Sequence, residues 1–168
     1  MSPKPFTSTE LEALYQIVKE YQENAPKNDG EQYNDYYDEY EEPISKKIIS
    51  SLLKKMAQQL PKDAKEEIDK DFLRQKYHTY NNPISEKAYC ILKKAVEQLK
   101  TVEINYFNMD DAEFKKRKID AYYTSARYTI GYCHLRKEMR KFRTSRIASA
   151  KLTDQSYSVP KNFNKNEY

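Results

Sequence analysis

The spacing of apolar residues changes once along this chain, from helical to alternating, and the change falls at Thr101. Upstream, Thr7 to Tyr21 puts Leu11, Leu14, Val18 and Tyr21 on one stripe. Thr7 and Glu10 have the spacing of a capping box, in which hydroxyl and carboxylate each satisfy an amide of the first turn. A second helix opens at Pro43, a favoured first-turn residue because it has no amide hydrogen to satisfy. It carries Ile44, Ile48, Ile49, Leu52, Leu53 and Met56 and stops at Leu60-Pro61. A third runs from about Asp63 to Tyr77, with Ile68, Phe72 and Leu73 apolar. Ser85 caps a fourth, whose Ala88, Ile91, Leu92, Ala95, Val96 and Leu99 recur at helical spacing.

From Thr101 the period is two. Val102, Ile104 and Tyr106 alternate in a first strand. Further strands are predicted over Arg117 to Thr124, Arg127 to Leu135, Arg140 to Ile147 and Ala148 to Thr153. Five short strands with tight connections predict a small barrel, with Ile130, Phe142 and Ile147 in its core. The expected fold class is therefore α+β. Residues 1–84 form a helical linker or dimerisation region, and residues 85–168 form a small five-stranded β-barrel with its leading helix. Tyr157, Val159 and Phe163, in an Asn- and Lys-rich tail, are placed to pack back on the barrel.

Composition modifies this picture in two places. Only 38% of residues are hydrophobic and the mean hydropathy is −1.04, so the 16 tyrosines must supply part of the core with their rings. Residues 29–42 hold seven acids, four tyrosines and no base, which reads as an exposed loop or a weakly ordered insert. Charge divides unevenly. Residues 1–84 carry 12 basic and 16 acidic side chains, residues 85–168 carry 18 and 10, and a basic domain favours anionic partners. Two cysteines, Cys90 and Cys133, lack the spacing of a zinc site or disulfide framework, and each is expected as a buried reduced thiol. No apolar run is long enough to span a membrane, and a cytoplasmic protein is the simple expectation.

The chemistry is concentrated in residues 122–147, where Arg136, Arg140, Arg143 and Arg146 follow a run of tyrosines with only Glu138 as an acid. Guanidiniums beside aromatic rings suit planar, anionic ligands. On a regular strand Arg140 and Arg146 share a face, while Arg143 faces the other way and is available to Asp120, Glu103 or a helix. Catalytic motifs are missing: there is no GxSxG, HExxH or P-loop, and Cys133 and His134 are strand neighbours that point oppositely. No enzyme activity, cofactor or metal is expected; Asp110, Asp111 and Glu113 read as a solvated turn.

Several elements in this order resemble the WYL domain of bacterial transcriptional regulators, over roughly residues 88–160. Ala95-Val96 and Tyr106 match its opening helix and strand. Gly131-Tyr132-Cys133-His134-Leu135-Arg136 and Arg140-Lys141-Phe142-Arg143-Thr144-Ser145-Arg146-Ile147 match its later strands. The namesake Trp-Tyr-Leu triplet is Tyr128-Thr129-Ile130 here, and Ala121 stands where the family often has proline. The resemblance implies an Sm-like or SH3-like barrel that senses an anionic ligand, a nucleotide or single-stranded nucleic acid, and passes occupancy to a DNA-binding domain. Carried over by position, the ligand-binding candidates are Tyr128, His134, Arg136, Arg140, Arg143 and Arg146, with Tyr132 secondary. A homodimer is expected. DNA contact would go through a winged helix-turn-helix domain that this chain lacks, as in an excised sensor fragment or a reduced family member. Two other readings stay open: a barrel that binds RNA or single strands directly, and an architectural dimerisation module.

Overall fold

The computed structural model describes residues 6–24, 44–78 and 82–168. The acidic, tyrosine-rich segment 29–42, the break at 22–30 beyond Asn24, and Pro43 lie outside the described residues. Cα packing divides the chain into two compact units, Met1–Asp69 and Lys70–Tyr168.

The first unit is helical. Helix α1 spans Ser8–Asn24, α2 spans Lys46–Ala57, and α3, Lys62–His78, begins here and ends in the second unit. The expected capping box starts α1: the Thr7 amide donates to Glu10 Oε2 (2.7 Å) and the Glu10 amide to Thr7 Oγ1 (3.3 Å). The Thr7 amide, with the Thr7 hydroxyl also 2.9 Å from Glu10 Oε2, holds the Glu10 carboxyl below its usual value. Leu11, Tyr15, Ile49, Leu60 and Ile68 are buried. Tyr15 Oη donates to Asp69 (3.1 Å), which also accepts from Lys19 and from Lys65 (2.7 Å). Burial raises the Asp69 pKa, but the two lysines outweigh it and the net shift is downward. The expected apolar stripes are only partly used: Tyr21 on α1, Ile44 just before α2, and Ile48 and Leu52 along α2 are exposed.

In the second unit, helix α4 (Glu86–Gln98) is followed by five antiparallel strands: β1 Lys100–Asn108, β2 Glu113–Thr124, β3 Tyr128–Cys133, β4 Glu138–Arg143 and β5 Ile147–Ser156. Ser85 caps α4 by accepting from the Ala88 amide (3.3 Å), as its sequence suggests. At the other end Leu99 takes a left-handed conformation (φ 51°), so the chain turns straight from helix into strand without a glycine. Ala88, Leu92 and Ala95 pack on Val102, Ile104, Ile119, Ala121, Cys133, Phe142 and Ile147, which explains why these alternate in the sequence.

The sheet order is β4-β3-β2-β1-β5. The predicted barrel is not closed, because no ladder joins β4 to β5 among the described residues. A short 3₁₀ helix, Thr144–Arg146, separates those two strands. Register shifts interrupt the β1–β5 and β2–β3 ladders and bend the sheet locally. Gly131 meets Ala121 where β2 bulges, and a Cβ there would lie 2.2 Å from the Asp120 carbonyl oxygen. Cys133 is buried as expected, whereas Cys90 lies exposed on α4. Arg117 is buried opposite Ile104, and its Nε and Nη1 have no hydrogen-bond partner among the described residues.

Candidate functional site

The turn into β3 is built from hydroxyls. Ser125 Oγ accepts from the Tyr128 amide (3.1 Å), and the Ser125 amide donates to the Tyr128 carbonyl (2.9 Å). Thr144 then ties the 3₁₀ helix to this turn: its hydroxyl donates to the Ser125 carbonyl (2.9 Å) and its amide to the Arg127 carbonyl (3.1 Å). Thr129 and Thr144 are buried with their hydroxyls 3.3 Å apart. These threonines position the site without touching it, and only their place beside Tyr128 and Arg143 marks them in the sequence.

The 3₁₀ helix decides where the arginines go. Residues three apart eclipse one another on such a turn, so Arg143 and Arg146 come to one side. The strand-parity expectation that Arg146 shares a face with Arg140 fails because β4 ends at Arg143. Arg143 reaches a helix, one of the alternatives weighed for it. Its Nη1 donates to the His78 carbonyl (2.9 Å) and more weakly to that of Tyr77 (3.5 Å). Arg146 Nε donates to the Tyr77 carbonyl (3.1 Å). These are the last carbonyls of α3, which lack partners inside the helix and form the negative end of its dipole. Tyr77 is held in turn by its ring, stacked on Phe107 at 4.4 Å and edge-on to Phe114 at 5.6 Å.

Tyr128, Arg143 and Arg146 join Tyr106 and Lys141 around a concavity of about 250 Å³. Lys141 Nζ sits 4.5 Å from the Tyr128 ring centroid and donates to the main-chain oxygen of Tyr168 (2.5 Å). The Tyr106 ring is edge-on to Phe142 at 5.2 Å, which fixes the wall nearest the core. Three cations and two aromatic faces can together hold a small planar anion. Tyr106 and Lys141 both lie within the sequence motifs, but their strand positions alone give no reason to join them to the arginines.

The other candidates lie elsewhere. His134 Nε2 is 2.9 Å from Asp120 Oδ1, and the same oxygen accepts from Thr101 Oγ1 (2.6 Å). Tyr132 meets the His134 ring edge-on at 5.6 Å. A buried carboxylate thus faces the pair that was grouped with the arginines. Arg136 is exposed in the turn after β3, and Arg140 is exposed and bonded to Glu138 (3.1 Å). Three of the seven sequence candidates, Tyr128, Arg143 and Arg146, line this concavity. In the acidic turn Asp111 accepts from Lys115, Asn108 and the Glu113 amide, which hold its carboxyl down at about 2. No group of three His, Cys, Asp or Glu side chains able to hold a metal ion gathers among the described residues.

A helix packed on a five-stranded antiparallel sheet agrees with the α+β class that the sequence resemblance implies, while the barrel it also implies is not closed. Residues 88–152, from the first turn of α4 into β5, match the family model of the WYL domain. Among solved structures the chain is similar to proteasome accessory factor B/C (PafBC) of Arthrobacter aurescens, at 17% identity and a TM-score of 0.38. That match covers 91% of this chain and 21% of the other, so this chain spans about a fifth of that protein's length. No curated protein matches the chain. No helix among the described residues is long and apolar enough to cross a membrane.

Proposed function

We propose that this WYL domain is the ligand-sensing part of a bacterial transcriptional regulator. Its ligand is a nucleotide or a single-stranded nucleic acid, bound where Tyr106, Tyr128, Lys141, Arg143 and Arg146 converge. The observation that carries the proposal is this convergence of three cations on two aromatic faces. In this reading the domain is non-catalytic and cytoplasmic, and it acts on DNA through a winged helix-turn-helix domain outside the described residues. The sheet is read as an Sm-like small barrel left open between β4 and β5.

The route from occupancy to output runs through α3. The guanidiniums that would meet the ligand also hold the last carbonyls of that helix. An anion placed there competes with the negative helix end for the same donors. Ligand binding then shifts α3 between a capped and an uncapped final turn, and the shift is as large as the ligand's preference between those two states.

Fluorescence anisotropy with labelled single-stranded DNA and RNA of several lengths, at two salt concentrations, tests the reading. A sensor saturates with a short ligand and loses affinity in Lys141→Ala and Arg146→Ala. A general single-strand binder shows affinity that grows with length and falls steeply with salt. Unchanged affinity in both variants removes the site assignment.

A second reading, a dimerisation module, is favoured by the exposed Ile44 just before α2 and Ile48 and Leu52 along it. Sedimentation of the Ile48→Asp variant against the parent protein separates it from the first: a dimerisation module dissociates, and a sensor keeps its ligand affinity.

A further inference from the structure

The concavity just described has a neighbour. On the far side of Arg143 lies a second one, of about 290 Å³, lined by Asn82, Ile84, Ala126, Arg127, Arg143 and Ser145. Arg143 is the wall that the two share. The chain steps between the lobes twice. Arg127 lines the second and Tyr128 the first, while Ser145 lines the second and Arg146 the first. Both steps occur where Thr144 pins the 3₁₀ helix to the turn before β3, so the two lobes are held in fixed relation.

The lobes differ in chemistry. The first is ringed by cations and tyrosine rings. The second has Arg127 besides the shared Arg143, no tyrosine, Ile84 and Ala126 as an apolar surface, and the Asn82 amide and Ser145 hydroxyl as groups that can both donate and accept. An apolar surface with a carboxamide at its edge suits a nucleobase, which needs a partner for its face and another for its polar rim. Neither lobe alone exceeds the low end, about 300 Å³, of small-molecule sites, but together they fall well inside the range.

We propose that the second lobe is a nucleoside subsite, so that the ligand has at least two nucleotide units. One base lies against Tyr128, the next lies in the Asn82–Ile84–Ala126–Ser145 lobe, and the phosphodiester between them crosses Arg143. This inference rests on the reading of the first lobe as an anion site and adds its length and direction. It requires a dinucleotide to bind more tightly than a mononucleotide. It also requires the gain to be lost when only the second lobe is altered.

The experiment is calorimetric titration of the protein with thymidine 5′-monophosphate and with the 5′-phosphorylated thymidine dinucleotide. The parent, Lys141→Ala, Asn82→Ala and Ala126→Trp proteins are compared. Ala126 is exposed in a turn, so a tryptophan there fills the lobe without entering the core, and Asn82→Ala guards against a folding defect confined to the larger change. The dinucleotide is expected to bind about tenfold more tightly to the parent, the order of one stacked base. Ala126→Trp and Asn82→Ala should each remove most of that gain and leave the mononucleotide unaffected, while Lys141→Ala should weaken both ligands. Equal affinity for the two ligands in the parent, or a dinucleotide gain that survives both second-lobe variants, overturns the subsite alone. Absence of mononucleotide and dinucleotide binding overturns the anion site and the subsite together.

Discussion

The two ends of β3 carry the same kinds of residue and do opposite things. At its start, Tyr128 is flanked by Lys141 and faces Arg143 and Arg146 across a concavity. At its finish, Tyr132 leans on His134, which is bonded to the buried Asp120. A tyrosine beside a basic residue therefore does not define an anion site. The deciding group is the third one. At the first end it is a set of cations oriented by helix carbonyls, and at the second it is a carboxylate already filled by Thr101 and His134. On the proposed reading, an anion is favoured at the first end and disfavoured at the second.

Four tests break or sharpen this contrast. The largest effect is expected at Gly131, midway between the ends. Its missing Cβ would meet the backbone of β2, which cannot give way, so Gly131→Ala should cost about 3 kcal/mol in urea denaturation and disturb both ends. A loss near zero would mean that β2 and β3 do not approach as closely as the ladder requires. Asp120→Ala acts on the second end alone. It strips the acceptor from the buried Thr101 hydroxyl and from His134, and should cost about 2 kcal/mol with nucleotide affinity retained. If affinity falls in step with stability, the ends are not independent.

Third, Lys141→Glu and His134→Ala form a matched pair. Placing a carboxylate against Tyr128 should weaken nucleotide binding by at least about tenfold, whereas removing the imidazole should change it less than about twofold. Equal losses would erase the distinction drawn between the ends. The smallest effect concerns Tyr157, whose hydroxyl donates to the Ala121 carbonyl beside the bulge, with the Ala95 carbonyl at 3.4 Å. Tyr157→Phe should cost about 1 kcal/mol. Burial, with Asp120 nearby, pushes this phenol up to about 12 from the ordinary 10. Since the folded value is the higher one, its contribution is complete below pH 10 and lost as pH rises towards about 12. Stability measured across that window should fall more steeply in the parent than in Tyr157→Phe.

Both regions were partly legible. The helices follow from their periodicity, and the capping box and the Ser85 cap form because neighbouring residues alone satisfy their bonds. The strands follow from alternation, since Val102, Ile104 and Ile119 must all face α4. Parity misplaced the arginines, because the counting assumed one strand from Arg140 to Ile147 where a 3₁₀ turn intervenes. The same local counting could not find that Arg143 and Arg146 meet α3, whose end lies more than sixty residues earlier. Nor could it separate the exposed Ile48 from the buried Ile49, because the stripe on α2 is wider than the surface that covers it.

The sequence by itself determined the order of four helices and five strands, the apolar positions of the sheet and the motifs that resemble the WYL domain, because each depends on residues a few places apart. The tertiary structure alone decided which cations share a concavity, which histidine faces a carboxylate and whether the sheet closes. Those outcomes depend on where a turn rotates the chain and on which distant backbone groups still need a hydrogen-bond partner, and neither is encoded at short range.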